Sequence, residues 1–494
     1  MGKMKKILAI VLMLAMVMAM GMTSFAGNGV KPTADDAKEA TVDNVETGAT
    51  MTAYQLIDAS YDDNGFTGYV WAGGMTNAGQ KVTDASAAIT SELVTEKAKD
   101  TAGLTKIDNF VSGVTKLPVG TWMILVTPPA NDAAKVYNPM VVSVYYALDN
   151  TSGDSDMVSG SVSANDDWTI NATTVYAKSS EVSVIKSVND NEAEVANDEL
   201  TYTITGTIPS YSNEYTAVVY KLKDSIKSGL EYKKDNNGAV IAPVVKVGGT
   251  VVDAAKYTYT STADNFEIAF NSEYILGLAG KTDAERAVEI TYVAKLTAEA
   301  IEKSGENQVV LKYSNKPDEI ATKDDTEYVA TFAIDGVLKK VGEKDDKNGL
   351  AGAEFTLYRE NENGKLSDVF ATMTTGNDFN IKFQGLDSDR TYYLKETNAP
   401  SGYSVNETIY TITFDNIERD NAGKVTNYDV FVDGKKVSTI SYGNASTEFG
   451  DTIENTKLSS LPSTGGIGTT IFTIGGCVIM IAAAGLFFAS RKKK

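Results

Sequence analysis

The sequence predicts an all-β chain of tandem immunoglobulin-like β-sandwich domains, preceded by a signal peptide and followed by a C-terminal transmembrane helix. Three observations carry this. Short runs rich in Val, Thr, Tyr and Ile alternate with Gly, Asn and Asp turns, as in 200–205, 288–293 and 408–414, the pattern of sandwich strands. Helical stretches are few; 85–99 and 297–303 are the best, and both are short. Each end of the chain pairs an apolar run with a cluster of basic residues.

At the N-terminus, Lys3, Lys5 and Lys6 precede an apolar run over 7–22, and Ser24-Phe25-Ala26 offers small residues at the positions a signal peptidase reads. Residues 1–26 are therefore expected to be removed. The formal charge of the whole chain is −20. Trimming the seven basic residues at the two ends leaves about −27, which excludes nucleic-acid binding through phosphates. Cys477 is the only cysteine and lies in the C-terminal apolar run, so the exported part has no disulfide. The chain has no histidine, which removes Ser-His-Asp and Cys-His catalysis and most zinc sites. No cofactor or metal is expected.

The first domain is expected over 27–178. Asp62-Asp63-Asn64-Gly65 reads as a hairpin turn, because the spaced oxygen ligands of a calcium loop are missing. The domain ends on Thr174-Val175-Tyr176-Ala177-Lys178, a β-branched and aromatic strand that should leave Lys178 exposed at a junction. The second domain is expected over 179–327. Val182, Val184 and Lys186 share one strand face, as do Val309, Leu311, Tyr313 and Asn315. The third domain is expected over 328–457. Phe332, Ile334, Leu338 and Lys340 share a face, as do Tyr392, Leu394 and Glu396, and Ile453 and Asn455, while Lys339 points outward.

Residues 458–494 begin with a short polar stalk. Leu461-Pro462-Ser463-Thr464-Gly465 follows, then an uncharged span over 467–489, then Arg491-Lys492-Lys493-Lys494. The 23-residue span is long enough to cross a bilayer, and the basic tail fits a cytoplasmic end.

This tail resembles the LPxTG cell-wall sorting signal of Gram-positive surface proteins, which implies cleavage by a sortase between Thr464 and Gly465 and transfer of the Thr464 acyl group to an amine. Tyr392-Tyr393-Leu394-Lys395-Glu396-Thr397-Asn398-Ala399-Pro400-Ser401-Gly402-Tyr403 resembles the E box of Gram-positive pilins, in a domain of the collagen-adhesin B type that also carries Leu350-Ala351-Gly352-Ala353-Glu354-Phe355. The resemblance implies a Lys340–Asn455 isopeptide bond promoted by Glu396. The second domain resembles the middle, collagen-adhesin-A-like domain of pilin backbones, which implies a Lys186–Asn315 bond with Asp224 as the acid. Asn307 is a rival amide and Glu289 a rival acid, although Val288, Ile290 and Tyr292 place Glu289 on the opposite face. Such chemistry needs burial, which favours a neutral, nucleophilic amine and a neutral acid. Val175, Tyr176 and Lys178 match part of the pilin motif WxxxVxVYPK, with Ala177 in place of its Pro and Trp168 one residue too far away. The match implies Lys178 as the amine that attacks the Thr464 acyl group of the next subunit.

The function expected is thus that of a major pilin, a sortase-polymerised backbone subunit and not an enzyme. Its implied partners are a class C-type pilus sortase, a housekeeping sortase, identical subunits, minor pilins, peptidoglycan, and a host or mucosal ligand that the sequence does not name. The alternatives are a minor or tip pilin, a monomeric wall-anchored adhesin, or a wall-anchored hydrolase working with two carboxylates.

Overall fold

A computed structural model describes residues 30–129, 135–148, 157–195, 198–212, 215–316, 319–343, 345–458 and 468–491. The signal peptide and the sorting motif from Leu461 to Gly465 lie outside the described residues. The chain forms two compact units. One comprises 1–191, 195–300 and 304–329; the other comprises Glu192–Glu194, Ile301–Lys303 and Ala330–Lys494. The division expected at 178/179 therefore falls inside the first unit.

The first half of that unit is built on an eight-stranded sheet. Its centre is Thr50–Asp62 paired with Gly65–Trp71 on one side and with Gly120–Thr127 on the other; Met140–Leu148 and Trp168–Ala172 continue the sheet. Because successive side chains point to opposite faces, the sheet has two buried faces. Ala53, Ile57, Trp122, Ile124, Val142 and Tyr146 pack on one. Leu56, Met123 and Val141 pack on the other, under Val94 of the helix Ser91–Lys99. That helix starts later than the sequence pattern suggests because Thr90 caps it, its side chain accepting from Leu93 N at 3.2 Å. The expected hairpin at 62–65 is present. Gly65 sits at φ +133, and a Cβ there would meet the Val162 carbonyl at 2.6 Å.

Residues 184–329 form two facing sheets. One carries Val184–Val188, Leu200–Thr207, Ala287–Leu296 and Val244–Val247; the other carries Tyr257–Ser261, Asn265–Phe270, Tyr220–Ser228, Gly305–Lys316 and Glu319–Val329. Tyr292 of the first sheet meets Phe266 of the second edge-on at 4.9 Å, so aromatic rings fill the layer between them.

In the second unit, Phe332–Gly342 pairs with Asn380–Leu386 and, in parallel, with Asp451–Asn455. A six-stranded sheet includes Glu354–Glu362, Tyr392–Asn398, Ile409–Arg419 and Val425–Val432. Phe332, Phe414 and Tyr428 cluster between the two sheets. A helix covers Gly468–Arg491. Among the described residues, which exclude the side chains of 469–472 and 485–491, no helix is long and apolar enough to cross a membrane.

Candidate functional site

Two buried lysines, each with a carboxylate and a carboxamide nearby, stand out. In the second unit Lys340, Glu396 and Asn455 are at most 1 % exposed. The parallel register sets Lys340 opposite Ile453 and Gly342 opposite Asn455, so the Lys340 and Asn455 side chains project from neighbouring strands of one sheet. Glu396 comes from the facing sheet. Lys340 Nζ donates to Asn455 Oδ1 and, at 3.1 Å, to the Ile453 carbonyl, and lies 3.5 Å from Glu396 Oε1. Asn455 Nδ2 donates to that same Oε1 at 2.9 Å, while Oε2 accepts from Asn406 N at 2.7 Å. Burial lowers the Lys340 amine from its ordinary 10.5 to about 8, against the opposing pull of Glu396. A usable fraction is therefore neutral near physiological pH, next to the amide carbon it would attack. Lys339 is less buried and lies over the Phe379 ring, outside this cluster.

In the first unit Lys186 and Asp224 are 1 % and 0 % exposed and in direct contact across the two sheets. Burial pushes the Lys186 amine below its ordinary value, with Asp224 opposing. Two phenols hold the carboxylate: Tyr232 donates to Oδ1 at 2.6 Å and Tyr292 to Oδ2 at 2.8 Å. The amide brought to this cluster is that of Asn307, whose Nδ2 donates to the Tyr292 hydroxyl at 2.8 Å. Asn307 is fully buried and its Oδ1 accepts no hydrogen bond among the described residues. An amide oxygen left in that state costs stability.

The expectation that Asn315 partners Lys186 is corrected by this geometry. Antiparallel pairing sets Asp224 opposite Val309 and Ile226 opposite Asn307. Asn315 lies eight residues farther along the same strand, about 26 Å away at the usual rise. It sits at an irregularity of the ladder, with its carbonyl accepting from Tyr215. A lysine side chain does not span that distance. Glu289 is not in the cluster either; it pairs with Lys246 at 2.7 Å. The two phenols were not singled out from the sequence, although the alternation that turns Glu289 outward also turns Tyr292 inward.

Lys178 lies between the strands Thr174–Tyr176 and Ser179–Glu181 and is exposed. The backbone beneath it is pinned. Ala177 N donates to the Asp43 carbonyl at 2.9 Å, Asn44 Nδ2 to the Ala177 carbonyl at 3.0 Å, and Asn138 N to the Lys178 carbonyl at 3.0 Å. A proline at 177 could not make the first of these bonds. Alanine here adds a hydrogen bond to the parallel pairing with Thr41–Asp43 and does not loosen the strand.

Three stretches of the chain match known protein families. Residues 35–179 match the T6 antigen Ig like domain, residues 335–429 a prealbumin-like fold domain, and residues 453–494 the LPXTG cell wall anchor motif. The chain is 26 % identical to the trypsin-resistant surface T6 protein of Streptococcus pyogenes, over 93 % of this chain and 96 % of that one. It is 24 % identical to the fimbrial subunit type 2 of Actinomyces naeslundii, over 93 % and 85 %. Its fold is similar to that of the T6 backbone pilin of serotype M6 Streptococcus pyogenes, with a TM-score of 0.58 and 20 % identity over 87 % of this chain and 100 % of that one. It is also similar to the full-length major pilin SpaD of Corynebacterium diphtheriae, with a TM-score of 0.50 and 17 % identity over 87 % and 99 %. The LPXTG anchor motif behind tandem β-sandwiches marks a cell-wall-anchored surface protein of a Gram-positive bacterium, similar to a streptococcal surface protein and a fimbrial subunit.

Proposed function

We propose that this pilus subunit is a self-crosslinking backbone pilin of three domains, 27–178, 179–327 and 328–457, polymerised by a sortase. Sortase cuts between Thr464 and Gly465, Lys178 of the next subunit accepts the Thr464 acyl group, and a terminal transfer links the polymer to peptidoglycan. Before cleavage, the span 467–489 holds the precursor in the membrane. Internally, Lys340 bonds to Asn455 with Glu396 as the promoting acid, and Lys186 bonds to Asn307 with Asp224 in that role. The observation that carries the reading is the burial of two Lys–acid–Asn clusters between facing sheets in a chain without a disulfide. A buried lysine beside a carboxamide and an acid is costly as a permanent ion pair and useful as a reactant. Each step would release one ammonia.

The polymer is tested on cell-wall extract boiled in SDS. A ladder of high-mass species is expected, and replacement of Thr464 by Ala should leave monomer in membrane and medium. An unchanged ladder would remove Thr464 from the reaction. The internal bonds are tested by intact mass of the recombinant ectodomain, expected to be two ammonia molecules lighter than its sequence. Asn307→Ala should retain the Lys186 amine and lose only one ammonia, whereas Asn315→Ala should still lose two. The reverse outcome would return the partner role to Asn315.

A further inference from the structure

The two crosslinking clusters differ in how the acid reaches the amide. In the second unit Glu396 Oε1 touches both the leaving nitrogen of Asn455, at 2.9 Å, and the amine of Lys340, at 3.5 Å. Asp224 is one methylene shorter, and among the described residues no hydrogen bond joins it to Asn307. The gap is filled by Tyr292. Its hydroxyl accepts from Lys186 Nζ and from Asn307 Nδ2 at 2.8 Å, and donates to Asp224 Oδ2 at 2.8 Å. One oxygen thus contacts nucleophile, leaving group and acid. The ring carrying it is fixed, stacked on Tyr202 at 5.5 Å and edge-on to Phe266 at 4.9 Å. Tyr232 holds the other carboxylate oxygen, which keeps Oδ2 turned toward Tyr292.

We infer that Tyr292 is a catalytic residue of the Lys186–Asn307 crosslink, relaying the proton that the leaving amide nitrogen needs. The inference rests on the crosslink proposed above. In the first step the Lys186 ammonium gives a proton to the Asp224 carboxylate. The neutral amine attacks Asn307 Cγ; the C–N bond forms and the carbonyl pair moves onto Oδ1. The Tyr292 hydroxyl passes its proton to Nδ2 and regains one from the protonated Nζ of the adduct. The C–Nδ2 bond breaks with its electron pair on nitrogen, the carbonyl re-forms and ammonia leaves. One amide N–H, one ammonia and a protonated Asp224 account for all five protons of the ammonium and the carboxamide. Burial and the neighbouring Asp224 raise the Tyr292 phenol well above its ordinary value, so it stays protonated between transfers.

The test follows crosslink closure in the full ectodomain by mass spectrometry after pulsed cell-free synthesis, with the Lys340–Asn455 bond as an internal reference for folding. Tyr292→Phe keeps the ring and removes only the hydroxyl. Closure at Lys186 should slow by about 10²–10⁴-fold, the usual cost of losing a positioned proton-transfer group. Tyr292→Phe combined with Asp224→Glu should recover much of the rate, because the longer acid reaches Nδ2 as Glu396 does. Closure of Tyr292→Phe at the wild-type rate would overturn the inference. Should Tyr292→Phe fail to fold, 3-fluorotyrosine placed at 292 keeps the shape and makes the phenol more acidic. A shifted pH profile of closure is then expected, and an unchanged profile would overturn the relay. A wild-type protein that loses no ammonia at Lys186 would defeat the crosslink itself, an outcome distinct from failure of the Tyr292 role alone.

Discussion

Lys178→Arg in the native host is expected to abolish the SDS-resistant ladder while leaving anchored monomer. In the proposed polymer the acyl donor of each subunit is Thr464, near its C-terminal end, so polymerisation would require an exposed amine elsewhere on the chain. Lys186 and Lys340 are buried between sheets and closed to a sortase carrying a bulky acyl group. Lys178 is exposed, and its backbone is fixed by Asp43, Asn44 and Asn138, so the amine is presented from a rigid base. Arginine keeps the charge and much of the length but remains protonated, with no free pair to attack an acyl-enzyme. The effect should be all or none, because each missing amine ends a chain. Lys234→Arg, at another exposed lysine, serves as the control and should leave the ladder intact. A persisting ladder in Lys178→Arg would move the linkage elsewhere, and a branched peptide containing Thr464 would then identify the lysine.

Glu396→Ala is expected to produce the largest loss of stability. It removes the group that touches both Lys340 and Asn455, so the bond does not form and one ammonia is retained. The proposed bond would close a loop of 115 residues. By the chain-entropy argument used for disulfides, its absence costs on the order of 4–5 kcal/mol. For a domain of this size that corresponds to a fall in Tm of about 10–25 °C. Alanine also leaves the Lys340 amine buried without its acid, which adds to the loss. Glu396→Gln separates the two contributions: it keeps the hydrogen-bonding shape and lacks the acid, so it should also fail to crosslink but melt above Glu396→Ala. Calorimetry of the two variants beside wild type, with intact masses, checks this. A Glu396→Ala protein that is still two ammonia molecules lighter than its own sequence and melts as wild type does would remove Glu396 from the chemistry.

The third-domain cluster was legible because the E-box resemblance implied its three residues and the local alternation agreed with it. Alternation alone put Lys340 inward and Lys339 outward, and the same rule set Glu396 and Asn455 among apolar neighbours. In the second domain the rule had no resolving power. Asn307, Val309, Leu311, Tyr313 and Asn315 all share one parity, and both asparagines are buried. The choice between them lies in the register between Tyr220–Ser228 and Gly305–Lys316, segments separated by a long stretch of chain, and pairing of that kind is not written in either segment alone. Tyr292 was legible as a core residue but not as a reactant, since a tyrosine in an alternating strand is ordinary packing until its hydroxyl is placed. The late start of the Ser91–Lys99 helix has a simpler origin: Thr90 competes for the backbone more strongly than the apolar pattern before it favours helix.

The parallel pairing of Phe332–Gly342 with Asp451–Asn455 has a mechanical consequence. These strands lie near the N- and C-terminal ends of the third domain, so in the proposed polymer a pull would load them first. Without a covalent link, tension that peeled them apart would release the intervening chain, about 390 Å of slack at full extension for 115 residues. With Lys340 joined to Asn455, the load passes from one strand to its neighbour through a single amide and never enters the loop. The sandwich between those residues then carries no force. Its hydrophobic core is left to hold Glu396 and the two strands in place, while the covalent path determines how far the fibre can stretch.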